Sequence, residues 1–314
     1  MSGLTANTDY ITTLGYMIPS FNQVGKGGVL TPEMWIRNIN TFKARNLLVN
    51  KAVSAMTATD WAELLTLTNA GIQASDLVFT GRSNATGDFL SPTSGTVSAK
   101  TAGTSTYKIT ERLVQDFKTG DQRFSNNFKQ RTSTYIGETS RGNSFFTRWE
   151  LINRGAAGSE GDPAVIQFAN QNAGGYEQYL ATSYEENALM KAEALIYTGE
   201  TEAGLALIDA VRAYQGAGLP ATVGTGLTDA EAKEELRRER RIGLLFRNLS
   251  FYDARRWGLL ETGRTGAWAL SRTGEVSTNA TIKYNYLDYW DVPDNELVYN
   301  PPADGSAPVV NPRQ

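Results

Sequence analysis

The chain has 314 residues, enough to bury a large core as one extended domain or as two closely packed halves. Its net charge of −3 argues against nucleic acid and against a basic membrane-surface helix, and no run of about eighteen apolar residues is present to span a bilayer. The sequence has no Cys and no His, which removes disulfides, thiolate metal sites, cysteine nucleophiles, the commonest general base and every serine-histidine triad, and leaves carboxylate chemistry open.

In chain order, the start from Met1 to Gln23 has no basic opening and no apolar core, so it does not read as a signal peptide. Gly25 and Gly27-Gly28 close this polar stretch as a loop. Thr31-Pro32 then opens a helix in the preferred way, with Trp35, Ile39, Phe42, Leu47 and Leu48 at near-helical spacing and an expected end near Met56. Thr57 to Asp60 form a new N-cap for a second helix bearing Trp61, Leu64, Leu65 and Leu67, stopped by Gly71. Residues 31–71 are thus a first helix pair.

Residues 72–182 read as a loop-rich region. Gly81 to Ser105 is rich in Gly, Ser and Thr without periodicity, and Thr132 to Gly161 is similar but carries Tyr135, Phe145, Phe146 and Trp149 beside Arg141, Asn143 and Arg148. Loops of this length are functional or disordered, and the aromatics of the second favour order. A second helix pair spans 183–216: Ser183 and Glu186 form an expected capping box, Gly199 breaks between the helices, and Ala192 to Gly199 and Ala203 to Ala210 repeat the small-residue rhythm of tetratricopeptide helix pairs.

Region 228–314 begins with the most ordered signal. Thr228 and Glu231 are a capping box, acids (Asp229, Glu231, Glu234, Glu235) precede bases (Arg237, Arg238, Arg240, Arg241), and Leu236, Ile242, Leu245, Phe246 and Leu249 form an apolar stripe at helical spacing. Arg247, Asp253, Arg255 and Arg256 interleave with it before Phe251, Tyr252 and Trp257. Arginines so near a buried face require carboxylates, and Asp253, Glu235 and Glu239 are the candidates. A phosphate patch is the competing reading, but acids match the bases and the chain is net acidic. Beyond Trp257, glycines punctuate an irregular stretch in which Ile282 to Tyr286 is a possible short strand.

Arg238-Glu239-Arg240-Arg241-Ile242, Leu245-Phe246 and Phe251-Tyr252-Asp253-Ala254-Arg255-Arg256-Trp257 resemble a segment of the SusD/RagB family, as do Gly120-Asp121-Gln122-Arg123 and the C-terminal run Tyr289 to Leu297 with Asn300-Pro301 and Asn311-Pro312. Asn248-Leu249-Ser250 departs from the Gly-x-Arg common there, and Gly243-Leu244-Leu245 from Glu-Leu-Ala. The resemblance implies a mostly α-helical, SusD-like single domain with tetratricopeptide-type helix pairs, long irregular loops and little β structure. It further implies a non-catalytic lipoprotein at the outer-membrane surface of Bacteroidota that captures oligosaccharides or other nutrients, peptides included, for a SusC-like TonB-dependent transporter. A lipid anchor and natural start are then expected upstream of this chain. No cofactor, metal or nucleic-acid partner is implied.

The family motifs lie in scaffold positions and transfer no binding residue. Sugar recognition needs aromatic faces with polar groups at their edge. The loop residues Phe89, Tyr107, Tyr135, Asn143, Arg148 and Trp149 are the candidates, each also explicable as loop packing, while Trp35, Trp61, Trp257 and Trp290 read as core. A helical-repeat scaffold for a peptide or protein partner remains an alternative. A carboxylate-dependent glycoside hydrolase ranks below both, because Glu160-Gly161-Asp162 and Asp288 with Asp291 are the only loop acid clusters and neither stands out.

Overall fold

The computed structural model describes residues 8–20, 23, 25–82, 108–137, 146–152, 154–155, 158–170, 176–284 and 291–308. Its elements in order are α1 (Thr8–Met17), α2 (Pro32–Val49), α3 (Ala58–Asn69), β1 (Thr80–Arg82), β2 (Lys108–Ile109), α4 (Glu111–Val114), α5 (Gln122–Asn127), β3 (Phe128–Ile136), β4 (Phe146–Leu151), β5 (Glu177–Tyr179), α6 (Tyr184–Tyr197), α7 (Thr201–Tyr214), α8 (Asp229–Gly243), α9 (Ser250–Arg256), β6 (Ala267–Leu270), β7 (Val276–Ala280) and α10 (Asp294–Tyr299). The architecture is mostly α, as expected. No helix among the described residues is long and apolar enough to cross a membrane.

Local chemistry sets the helix ends. Thr31 Oγ1 accepts from Met34 N at 3.3 Å to start α2, and Thr57 and Asp60 exchange both bonds of a capping box to start α3. Helix α2 stops at Val49 rather than near Met56. Asn50 turns its side chain back onto Asn46 O at 2.9 Å, competing with the helix ladder, and a 3-10 turn at Val53–Ala55 carries the chain to Thr57. At α6 only half of the expected capping box forms: Ser183 Oγ accepts from Glu186 N, but the Glu186 carboxylate is drawn to Arg45 at 2.5 Å.

Helix α6 is the centre of the helical layer, buried on opposite faces. One face joins Leu189, Ala192 and Ile196 to Leu205 and Ile208 of α7 and Leu236 of α8. The other joins Met190 and Ala194 to Ala44 and Leu48 of α2 and Trp61 and Leu64 of α3. The small-residue crossing of α6 and α7 is made by Ala192 and Gly204, not by Ala203, which points to solvent. A Cβ on Gly204 would lie 2.5 Å from Ile196 Cγ1 and 2.9 Å from Ala192 O. Trp61 is core, stacked on Tyr197, whereas Trp35 and Trp257 are half-buried and Trp290 lies outside the described residues.

The region from Thr132 to Gly161 is more regular than the sequence implies. β3 and β4 pair antiparallel with β2 on the far edge, and a register shift between Gln130 and Tyr135 disrupts the alternation that would have marked them. Their Thr, Tyr, Phe and Trp residues suit strands. Phe128, Leu151, Ile109 and Phe168 form the core beneath this sheet. Two further ribbons pair β1 with β5 and β6 with β7, so the C-terminal strands fall before Ile282 rather than at it.

Helix α8 is bonded to its surroundings by charge. Glu239, fully buried, accepts from Arg123 Nη1 at 2.5 Å and from Arg212 Nε at 2.8 Å. Arg123, held by the Asp121 turn at 2.8 Å and 3.0 Å, also donates to Gln215 Oε1 at 2.9 Å, and Arg212 reaches Glu235 at 2.8 Å. Around the helix, Arg240 and Arg256 converge on Asp253 at 3.0 Å and 2.8 Å, and Arg256 pairs with Glu193 of α6. Arg237 and Arg241 share Asp116 at 2.7 Å and 2.6 Å. The basic cluster is therefore structural, as its charge balance indicated.

Removing one partner of a buried ion pair strands the other charge. Glu239→Gln is accordingly expected to lower unfolding free energy by about 3 kcal/mol or more, read from the shift in urea midpoint. Burial resists ionisation of Glu239 and Asp253, yet Arg123 with Arg212, and Arg240 with Arg256, hold both carboxyls below their usual range. A carboxyl depressed in the folded state stabilises above its unfolded value of about 4 and loses that contribution as pH falls through the folded value. Thermal melts are expected to be flat between about pH 6 and 8, where the absent histidines would titrate, and to fall steeply below about pH 4.

Candidate functional site

The apolar stripe that implied a continuous helix is broken at Gly243, where α8 ends. Leu244 to Leu249 form a turn in which Phe246 (φ 61°) and Asn248 (φ 59°) both take the left-handed conformation. That conformation costs about 1 kcal/mol or more for residues other than glycine, less for Asn. Asn248 stands where the resembled pattern favours Gly, so its departure keeps the backbone requirement. The turn sends Leu245 into the core beneath the sheet and Leu249 into the helical core, and sets Phe246 edge-on to Phe168 at 6.1 Å.

Between the two left-handed residues stands Arg247. Its guanidinium lies 3.7 Å from the centroid of the Tyr179 ring, and its Nη2 is 3.9 Å from Glu185 Oε1. The guanidinium forms no hydrogen bond to the described residues, although the Arg247 amide donates to Leu244 O at 3.1 Å. Arg247 borders a cleft of about 620 Å³ whose other walls are Tyr176, Tyr179, Tyr214, Glu185 and Gln215, the segment from Pro163 to Phe168, and the turn at Gly25 and Lys26.

Each wall is fixed by the scaffold. Gln215 spans between Arg123, from which its Oε1 accepts, and Gly243 O, to which its Nε2 donates at 2.8 Å. Gly216 (φ 69°) lets the 163–168 segment approach α7, since a Cβ there would sit 2.3 Å from Ala164 O. Asn127 fastens that segment by donating to Ile166 O at 2.7 Å and accepting from Phe168 N at 2.8 Å. At the rim, Glu177 Oε1 accepts from Lys26 N, Gly27 N and Thr80 Oγ1 at 2.8, 3.0 and 3.1 Å.

The floor carries the chemistry. Glu185, in the first turn of α6, is 1 % exposed; its Oε1 has a long contact of 3.5 Å from Gln215 Nε2, and its Oε2 is buried without a hydrogen-bond partner among the described residues. Such an orphaned acceptor is costly and calls for a donor. Burial pushes the Tyr176 and Tyr179 hydroxyls up, and burial with Glu185 and Glu177 pushes Tyr214 up to about 12. All three phenols are protonated at neutral pH. The cleft offers aromatic surface, guanidinium donors and one carboxylate acceptor, a set matched to a hydroxyl-rich ligand. Among the described residues no group of three or more acids is placed to hold a metal ion.

Of the residues singled out in the sequence, Phe89, Tyr107 and Asn143 lie outside the described residues. Tyr135 sits on β3 with Lys108 and Arg131 near its ring at 5.7 and 5.8 Å. Arg148 is committed to Glu111, 3.0 Å away, and Trp149 packs edge-on against Phe124 at 4.9 Å. Arg148 and Trp149 hold the sheet to α4 and α5, Tyr135 lies within the sheet, and none of the three borders the cleft. The cleft residues went unnoticed because Glu185 and Tyr214 read as parts of helices. The one usable signal was Arg247, an arginine beside an apolar stripe with no helical partner. For the turn, Asn248→Ala is expected to lower the melting stability by about 1 kcal/mol while Asn248→Gly leaves it equal or slightly higher.

A model of the SusD family matches residues 45–305 of the chain. Among solved structures, a SusD-like protein from Bacteroides fragilis aligns at 14 % identity and a TM-score of 0.47, over 78 % of this chain and 59 % of its own. A SusD superfamily protein from Bacteroides vulgatus aligns at 15 % and 0.41 over 80 % and 56 %. A SusD homolog from Bacteroides thetaiotaomicron aligns at 16 % and 0.42 over 71 % and 53 %. The chain thus spans 53 % to 59 % of the length of these three structures. No curated protein matches it.

Proposed function

The chain belongs to the SusD family, generally one of nutrient-binding proteins, and from that premise we propose that it is a non-catalytic subunit that captures oligosaccharides at the outer-membrane surface. The captured ligand passes to a SusC-like TonB-dependent transporter. The observation that carries the ligand class is the tyrosine-walled cleft bordered by Arg247 and Glu185, whose guanidinium and Oε2 have no hydrogen bond to the described residues. Aromatic rings bind the apolar faces of pyranoses, and the two polar groups fix hydroxyls at the edge.

A binding role accounts for the carboxylates better than hydrolysis does. Cleavage of a glycosidic bond uses a pair of available acids, and of the two that border the cleft Glu177 is engaged by three donors in closing the rim. The strain at Phe246 and Asn248 also suits recognition, since it fixes Arg247 before a ligand arrives.

The test is affinity electrophoresis and calorimetry against a panel of soluble glycans, with product analysis of the same mixtures. Binding to at least one glycan with no new reducing ends is the expected result, and Tyr214→Ala and Arg247→Ala are each expected to weaken it about tenfold while melting normally. Release of products that stops on substitution of one acid would overturn the non-catalytic reading. Affinity for unstructured peptides with none for any glycan would replace the ligand class.

A further inference from the structure

Resting on the binding role above, we propose that Arg247 and Glu185 form a clamp for two neighbouring hydroxyls of an uncharged sugar, and that the cleft rejects sugars carrying acidic or amino groups. The free protein leaves two polar groups without hydrogen bonds to the described residues. Glu185 Oε2 is an acceptor, buried and without a partner, on a side chain only 1 % exposed. The Arg247 guanidinium is a set of donors without a hydrogen bond to the described residues, its face covered by Tyr179 at 3.7 Å so that its edge alone is available. Arg247 Nη2 and Glu185 Oε1 lie 3.9 Å apart, too far for a hydrogen bond between them and close enough for one sugar to touch both side chains.

A pair of hydroxyls on adjacent carbons answers both needs together. One oxygen accepts from Arg247, and the other hydroxyl donates to the Glu185 carboxylate. A charged substituent does worse in either sense. A uronate carboxylate drawn to Arg247 lies beside the Glu185 carboxylate, and an ammonium drawn to Glu185 lies beside the guanidinium; the attraction to one member is opposed by repulsion from the other in a partly desolvated setting. The remaining charges around the cleft do not tip this balance. Lys26 directs its ammonium to Ala74 O and stands 5.6 Å from the centroid of the Tyr214 ring, while Glu177 accepts from the 26–27 backbone. Tyr176, Tyr179 and Tyr214 are neutral at physiological pH.

Glu185 is held for this role by its surroundings. Gln215, tied to Arg123 and Gly243 O, spares Oε1 only a long contact of 3.5 Å, and Ser183 rather than Glu185 caps the helix. No structural partner in the described residues uses Oε2, so burying it there is a cost that a bound donor offsets.

The experiment is calorimetric titration of the full chain with neutral oligosaccharides of glucose, galactose, mannose and xylose, with glucuronate and galacturonate oligosaccharides of the same length, and with chitosan oligosaccharides. It is repeated on Glu185→Gln and Arg247→Gln, with thermal melts to confirm folding. The expected result is binding to a neutral series, at least tenfold weaker binding of the matching uronates and amino sugars, and about tenfold loss on either substitution. Glu185→Gln is further expected to narrow the discrimination against uronates, a change that mere loss of packing does not produce. Arg247→Gln, at a position whose guanidinium has no hydrogen bond to the described residues, keeps the test valid should Glu185→Gln fold poorly. Neutral and uronate series binding alike, or discrimination unmoved by whichever variant folds, overturns the clamp while leaving the binding role standing. Silence from every oligosaccharide overturns both.

Discussion

The ionised carboxylate of Glu239, buried between Arg123 and Arg212, is the interaction on which the remaining structure hangs. A buried carboxylate is expensive alone, and so are two buried guanidiniums; each is tolerable only because the others are in place. The arrangement fixes α5, α7 and α8 to one another in a single geometry. It also specifies the Asp121 turn, because Arg123 reaches Glu239 only when Asp121 holds its guanidinium from the other side. On another side of α8 the set of Arg240, Arg256, Asp253 and Glu193 ties α9 to α6 in the same manner. Apolar packing of Leu236 and Ile208 supplies much of the driving force, while the charges select which packing is adopted.

The cleft inherits its rigidity from this framework through one side chain. Gln215 accepts from Arg123 at one end and approaches Glu185 at the other, so the floor of the cleft is one hydrogen bond from the buried network. Its lip is stiffened differently. There the backbone is forced into two left-handed residues, and Arg247 between them has its guanidinium plane laid on Tyr179. A receptor whose polar groups are positioned before the ligand arrives spends less of its interaction energy on ordering.

What the sequence revealed followed from how local each determinant is. Caps at Thr31, Thr57 and Thr228, and the acid-to-base order of α8, are written within four residues and were legible. So were Glu235, Glu239 and Asp253 as partners for arginines, since buried guanidiniums leave few choices. The end of α8 was not, because Leu245, Phe246 and Leu249 keep helical spacing although the chain leaves the helix at Gly243; the two left-handed residues are imposed by what Phe168 and the two cores require. The strands β3 and β4 were hidden by their register shift. The cleft was least legible, since its residues come from three separated stretches, Tyr179 to Glu185, Tyr214 and Arg247, and only the fold assembles them. Arg148 and Trp149, chosen for composition, serve instead to hold the sheet to the short helices beside it.

The close approach at Gly216 divides the cleft into parts that differ in how freely they can change over evolutionary time. The 163–168 wall is held to the scaffold through its backbone by Gly216, Asn127 and the Ile166 amide, and through its side chains by Phe168 in the core beneath the sheet. The exposed side chains of Pro163 and Ala164 on that wall are therefore open to replacement without disturbing the helices, and the same holds for position 247 so long as positions 246 and 248 tolerate the left-handed conformation. Glu185 and Gln215 have no such latitude, being joined to the charges that fix the helical layer. A lineage built on this scaffold can vary the exposed parts of the cleft wall and lip, while the floor keeps the same two polar groups.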